Sequence, residues 1–373
     1  MTRNSTDNSS RQSDEPKMGK TILEDLKKGN FKTTITQDFK DLMEFYISEE
    51  RKKRLEEMGV IKKYFFMFVW LMKSLFFKLT PVRRILIVIS IVLITISDKT
   101  GVNDNIQISH GTDLLGFILL LFVLMLELKD KLLAHYELQA GKYVQDELMP
   151  EQSPEIPGWS VWLYTRPAND VGGDLLDFLK VTDERYGIAL GDVSGKGLRA
   201  ALLMAKLQST LRALLPDFVS LSKLGTKINQ IFFRDSLSNV FASMIYIELN
   251  PANGRISYIN AGHMPPVVLK ESSIEQLPKG DAALGIMNKA KYKENNLKLN
   301  KDELLIVYSD GITEARNEAG DFYGEERFLN LIKGFTKYTP QEAGNILLNE
   351  IEKFTLNTRP NDDVSIIILK RVV

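Results

Sequence analysis

Cysteine is absent from the 373 residues of this chain, and histidine occurs only three times, as His110, His135 and His263. The first absence excludes disulfides, a thiol nucleophile and thiolate metal ligation. The second, with the three histidines far apart in sequence, argues against a zinc site built from histidine and cysteine. An excess of either charge is also missing, since 48 Lys+Arg balance 48 Asp+Glu. Nucleic acid is therefore not an expected partner, because its binding needs a concentrated basic face. No signal-peptide pattern opens the chain. What is present is an ordinary globular composition, 44% hydrophobic and 26% charged, over a length that allows two or three domains.

Residues 1–20 are polar and rich in Ser and Asn, too poor in large apolar side chains to form a core, so disorder is expected there. Residues 21–80 read as a helical region. Ile22, Leu23 and Leu26, and later Phe39, Leu42, Met43, Phe45 and Tyr46, recur at spacings of three and four. Within it, the aromatic-rich stretch Tyr64 to Leu79 is interrupted by Lys73 and Lys78, which suits a helix lying at a bilayer interface better than one crossing it. Pro81 ends that pattern. Two apolar runs follow, Ile85 to Ile96 and Leu114 to Leu126, and residues 81–128 are expected to form a transmembrane helical hairpin in the lipid bilayer. Each run must borrow flanking residues, because a spanning helix needs about 17 to 25. A buried hairpin in a soluble domain is the alternative. Cations cluster before the first run and after the second, while the connection between them holds only Lys99. By the positive-inside rule this puts both ends of a multi-pass protein in the cytoplasm.

Residues 129–157 read as a linker helix with a proline-rich boundary. Leu132, Leu133, Tyr136, Leu138, Tyr143, Val144 and Leu148 form a discontinuous apolar stripe, suited to a short coiled coil and hence to a homodimer. The prolines of Met149 to Gly158 cannot continue a helix. From residue 158 to 373 strands and helices mix. Strand-like runs fall at Ser160 to Thr165, Tyr186 to Leu190, Val240 to Leu249, Arg255 to Asn260, Pro266 to Lys270, Leu304 to Tyr308 and Val364 to Lys370. Hairpin-like connections such as Asn250 to Gly254 join consecutive strands, which predicts an α+β fold with largely antiparallel sheets.

Four aspartate motifs lie in this last region: Val171-Gly-Gly-Asp174, Gly191-Asp-Val-Ser-Gly-Lys-Gly197, Tyr308-Ser-Asp-Gly311 and Asn361-Asp-Asp-Val-Ser365. Taken singly, each has a bland reading as a turn or a solvated strand end. Gly195-Lys196-Gly197 is not a phosphate loop of the Walker type, because its spacing and the residue after lysine are wrong. Jointly, four carboxylate sites at strand ends point to a shared cleft. Oxygen-only ligands favour hard ions, so two Mg²⁺ or Mn²⁺ ions are expected rather than zinc. Two such ions hold a hydroxide between them and neutralise phosphoryl oxygens, which leads to phosphoester hydrolysis without a side-chain nucleophile.

Longer stretches carry a resemblance. Val171 to Phe178, Gly191 to Met204, Asn260-Ala-Gly-His-Met-Pro-Pro266, Tyr308 to Ala315 and Asp362-Asp-Val-Ser365 resemble, in order, the metal-dependent serine/threonine phosphatases of the PPM (protein phosphatase 2C-like) family, in particular the bacterial SpoIIE-type branch. The resemblance implies a C-terminal αββα sandwich of two antiparallel sheets flanked by helices, with the metals at one end. It implies that Asp192 bridges both metals, that Val193 lends its carbonyl, and that Asp310 and Asp362 complete one shell with Asp363 beside them. Asp174 would act near the second metal through water, and Asp174 and Asp192 are the catalytic candidates. The implied substrate is a phosphorylated regulatory protein, commonly an anti-sigma-factor antagonist. With the hairpin and the positive-inside rule, the expected location is the bacterial inner (cytoplasmic) membrane with the catalytic domain in the cytoplasm. A noncatalytic membrane signalling adaptor and a small-phosphoester hydrolase are the rival readings. His263 is read as part of a structural corner shaped by Gly262, Pro265 and Pro266.

Overall fold

The computed structural model describes residues 47–56, 58–97, 111–236, 240–271, 273–356, 358 and 360–373. The expected disorder of residues 1–20, the helical reading as far as residue 46 and the tip of the expected hairpin lie outside the described residues. The chain divides into two compact units, Met1–Asp130 and Lys131–Val373.

The first unit is helical: α1 (Glu49–Glu56), α2 (Val60–Lys78), α3 (Pro81–Ser97) and the beginning of α4 (Gly111–Leu148). Proline opens α3, where its missing N–H costs nothing and its fixed φ suits the first turn. Gly116 lets α3 and α4 approach closely, since a Cβ there would lie 2.7 Å from Ile94 Cγ1 and 2.9 Å from the Ser90 carbonyl. Arg83 ties the same two helices together, reaching Glu127 at 2.6 Å and Asp130 at 2.5 Å.

The expectation of a transmembrane hairpin is corrected here. Among the described residues no helix is long and apolar enough to cross a membrane. The described part of helix α3 is 17 residues long, about 25 Å of rise against a hydrocarbon core of about 30 Å. The apolar stretch of α4 is bounded by Asp113 and by Glu127, Lys129, Asp130 and Lys131. The multi-pass inner-membrane location falls with the hairpin. A second difference is that the second apolar run and the linker helix form one continuous 38-residue helix. Leu126 to Lys131 are strong helix formers with no glycine or proline among them, so nothing breaks the helix at their junction.

The second unit is a sandwich of two five-stranded antiparallel sheets. Its strands are β1 (Trp159–Arg166), β2 (Asp174–Thr182), β3 (Arg185–Val193), β4 (Ala242–Leu249), β5 (Arg255–Ala261), β6 (Val267–Leu269), β7 (Ile274–Gln276), β8 (Asn295–Lys298), β9 (Leu304–Tyr308) and β10 (Val364–Arg371). One sheet has the order β1-β10-β9-β6-β7 and the other β2-β3-β4-β5-β8. The inner faces meet through Leu163, Leu176, Ile188, Leu190, Ile245, Ile247, Leu305, Val307, Ile367 and Leu369. Period-2 alternation in strands such as Tyr186 to Leu190 turns one set of side chains inward and the other toward flanking helices.

Helices α5 (Leu198–Leu214) and α6 (Leu221–Asp235) cover the outer face of the second sheet, with Met204, Leu207, Leu211, Leu224, Ile228 and Phe232 in that layer. Beyond β9 come the short α7 (Asp310–Thr313), then α8 (Glu325–Ile332) and α9 (Pro340–Thr355). Helices α8 and α9 cover the first sheet through Phe328, Ile332, Ala343, Leu347 and Ile351. Thr339-Pro-Gln-Glu342 starts α9 with a capping box: the Glu342 amide donates to Thr339 Oγ1 at 3.3 Å and the Thr339 amide to Glu342 Oε2 at 2.8 Å. The αββα layering expected from the resemblance is present.

Candidate active site

Each acidic motif sits where a strand stops. Asp174 opens β2 and stands directly opposite Asp192 near the end of β3. After Val193 the chain must turn into α5, and it does so through Gly195 at φ 115° and Gly197 at φ 69°, a region of backbone space that favours glycine. Asp310 begins α7 immediately after β9, and Asp362 and Asp363 immediately precede β10. Strands β9 and β10 are hydrogen-bonded neighbours, so their motifs are adjacent.

Serines fasten these ends together. Ser309 Oγ donates to the Asp363 carbonyl at 3.0 Å and accepts from the Ser365 amide at 2.9 Å, which ties β9 to β10. Ser365 Oγ then donates to Asp174 Oδ2, crossing from the first sheet to the second. Thr165 Oγ1 of β1 meets the same Ser365 hydroxyl at 2.8 Å. Neither Thr165 nor the serines were singled out from the sequence. Ser309 and Ser365 stand inside the aspartate motifs, which is the signal that marks them; Thr165 carries none.

The carboxylates face one another electrostatically. Burial raises Asp192 to about 7, reinforced by the charges of Asp310, Asp362 and Asp363 and opposed by Lys196. Asp174, which is 4% exposed, is held well above the carboxylate range by burial, with Ser365 opposing and Asp363, Asp192 and Asp310 adding to the rise. Burial also raises Asp310, followed by the charges of Asp362 and Glu314. Asp174, Asp192, Asp310, Asp362 and Asp363 are thus brought together at one end of the sandwich, as neighbours whose negative charges are incompletely balanced. The Val193 carbonyl adjoins them, 3.1 Å from where a Cβ on Gly173 would lie.

The arrangement fits hard cations in its donor types and in its uncompensated charge. Asp192, Asp310, Asp362 and the Val193 carbonyl are the groups that would hold them. The shell is not drawn tight: among the described residues no three acidic or histidine side chains are gathered closely enough to enclose an ion. The hydrogen bonds give the reason. Asp174 is turned to Ser365, Asp363 is turned to backbone amides at Ala168 and Gly173, and Asp362 lies 3.4 Å from the Lys196 ammonium.

His263 is outside the acidic cluster. Its backbone N–H donates to Asn260 Oδ1 at 2.8 Å and its carbonyl accepts from Asn260 Nδ2 at 3.1 Å, closing the corner after β5. The ring Nδ1 meets Ser243 Oγ at 3.1 Å. Burial lowers its pKa to about 4, with the Tyr308 backbone pulling the other way. The unfolded chain, near 6.5, therefore takes up a proton first as pH falls, and stability drops between about pH 6.5 and pH 4. Relative to His263→Gln, wild type should lose roughly 3 kcal/mol across that window. Urea unfolding of both proteins at each pH checks this, and a constant difference between them would refute it.

The family described as Stage II sporulation protein E (SpoIIE) matches residues 182–372. Among characterised relatives, Protein IcfG of Synechocystis sp. is 28% identical over 264 residues, covering 63% of this chain and 41% of that protein. Phosphoserine phosphatase RsbU of Bacillus subtilis is 27% identical over 239 residues, covering 64% of this chain and 70% of RsbU. This chain thus spans well under half the length of the first of these relatives. Among solved structures, the SiaA-PP2C domain of Pseudomonas aeruginosa superposes with a TM-score of 0.57 at 15% identity, covering 65% of this chain and 98% of that domain. The PP2C phosphatase domain of SpoIIE from Bacillus subtilis, solved with a fragment of its regulatory domain, gives a TM-score of 0.50 at 18% identity, covering 59% of this chain and 64% of that one. Both share the fold of two antiparallel sheets between helices. With the family match spanning half of the sequence and holding every motif from Asp192 onward, this chain belongs to the SpoIIE family.

Proposed function

We propose that this protein is a divalent-cation-dependent phosphatase that removes phosphate from serine or threonine of a regulatory protein, an anti-sigma-factor antagonist being the class the motifs suggest. The observation that carries the reading is the convergence of Asp192, Asp310 and Asp362 from two sheets, where burial first and then the charges of Asp310, Asp362 and Asp363 raise the Asp192 carboxyl to about 7. Carboxylates that repel one another in this way form a site for cations. The name of the relative RsbU, a phosphoserine phosphatase, agrees with it.

Bound Mg²⁺ or Mn²⁺ supplies charge neutralisation and water activation. The protein's own contribution is placement. Asp192 is fixed by the β2–β3 ladder and Asp310 by the start of α7, while Ser309 and Ser365 hold the strand ends in register. Lys196 lies beside Asp362 with its side chain 60% exposed, its ammonium also donating to the Asn361 carbonyl at 2.5 Å, and on this reading it would exchange the carboxylate for an arriving phosphate. The protein is also proposed to be a homodimer through α4, where Leu133, Tyr136 and Tyr143 are all more than half exposed.

The purified full chain should release phosphate from a serine-phosphorylated protein with Mn²⁺, lose that activity in EDTA and regain it on re-addition. Light scattering on the same preparation should give twice the chain mass. Hydrolysis of small phosphoesters alone would move the protein to another substrate class. No release from either substrate would sink the proposal.

A further inference from the structure

The two adjacent aspartates before β10 are placed differently. Asp362 is partly exposed, with a side chain 38% accessible, and lies 3.4 Å from Lys196. Asp363 is 7% exposed and both its oxygens are occupied. Oδ1 accepts from the Ala168 amide at 2.7 Å, and Oδ2 accepts from the amides of Gly173 at 2.6 Å and Asp174 at 3.3 Å. The chain bends at Asp362 before β10 begins at Val364, and the two neighbouring acids have different partners: a lysine for Asp362 and backbone amides for Asp363.

The segment that Asp363 grips is the approach to Asp174. Ala168 and Gly173 precede β2 and belong to no strand. On another side, Gln145 of α4 holds Gly172 by two bonds: Nε2 donates to the Gly172 carbonyl at 2.9 Å, and Oε1 accepts its N–H at 3.1 Å. The glycines suit this grip, since a Cβ on Gly172 would sit 2.6 Å from Asp363 Oδ2.

We infer that Asp363 is a positioning residue: its carboxylate templates the loop of residues 168–174 and so sets Asp174, while Asp362 alone of the pair is available to a cation. The inference rests on the metal-dependent reading of the site, but its deciding measurement does not require activity. In Asp363→Asn an NH₂ replaces one acceptor oxygen and confronts amides that need an acceptor.

Hydrogen-exchange mass spectrometry of the metal-free full chain reads the grip directly. Asp363→Asn should speed exchange of the 168–174 amides about tenfold or more, the scale of losing buried hydrogen bonds, and Asp362→Asn should leave it unchanged. Calorimetric titration with Mn²⁺ should show the reverse pattern, with affinity at least about tenfold weaker in Asp362→Asn and within about threefold of wild type in Asp363→Asn. Gly172→Ala, which displaces the Asp363 carboxylate without removing it, should reproduce the faster exchange with Mn²⁺ affinity retained and, if the chain is a phosphatase, a lower kcat at nearly constant KM. Unchanged loop exchange in Asp363→Asn would overturn the inference. So would Mn²⁺ binding weakened as much in Asp363→Asn as in Asp362→Asn. Absence of any phosphate release by the wild type would count against the phosphatase reading alone and leave the positioning role standing.

Discussion

Asp192→Asn should lower kcat/KM for a phosphoserine protein at least about a thousandfold, close to 4 kcal/mol of lost transition-state stabilisation. The same variant should be no less stable than wild type when metal is removed. Burial and three neighbouring aspartates raise the Asp192 carboxyl to about 7, whereas in the unfolded chain it titrates near 3.9. As pH rises from about 4 to about 7 the unfolded state releases its proton first, so the metal-free wild type loses stability across that interval. The loss is on the order of 2 to 4 kcal/mol, and asparagine escapes it. Urea unfolding in EDTA at about pH 5 and pH 8, beside phosphate-release assays in Mn²⁺, measures both halves. A variant that lost activity and metal-free stability together would point to a structural role for Asp192.

Gly311→Ala should damage both stability and activity, although it adds a single methyl group. A Cβ at this position would overlap the Asp363 carbonyl oxygen and lie 2.8 Å from its carbon and 3.3 Å from the Asp362 carbonyl. These are backbone atoms of the turn into β10 and have no rotamer by which to move aside. Relief requires separating α7 from that turn, which draws Asp310 away from Asp362. The cost expected from overpacking is about 1 to 3 kcal/mol. Activity should fall at least about a hundredfold, because misplacement by an ångström is enough for that. Thermal unfolding and Mn²⁺-dependent phosphate release check the two effects. Wild-type activity in Gly311→Ala would show that the contact between these segments is dispensable.

Several parts of this architecture were legible in the residues alone because they follow local rules. Strands such as Tyr186 to Leu190 and Leu304 to Tyr308 announce themselves by β-branched and aromatic residues, and the acidic motifs by glycine beside aspartate. Strand β2 was not legible. Its sequence DLLDFLKVT buries its first four residues in succession, so the alternation that marks a half-exposed strand is missing. Gln145 gave no signal either, since a glutamine near a helix end becomes meaningful only when Gly172 is found beside it. The apolar runs misled for a different reason: hydropathy is local, whereas crossing a bilayer depends on helix length, and α3 and the apolar part of α4 are too short. Asp362 and Asp363 were inseparable as letters; their partners, Lys196 for the first and the amides of residues 168, 173 and 174 for the second, distinguish them.

Strand β10 lies between β1 and β9, so β1 has no partner in its sheet until residues 364–371 are in place. The Ser365 bonds to Thr165 and Asp174 close over separations of 200 and 191 residues. On the ribosome, where the N-terminal part of a domain emerges first, β1, β2 and β3 must wait for almost the whole unit to follow. The segment that completes the acidic cluster also follows the other three acidic motifs along the chain. Under the proposed function, a nascent chain is therefore expected to be inert toward phosphoproteins until β10 enters its sheet.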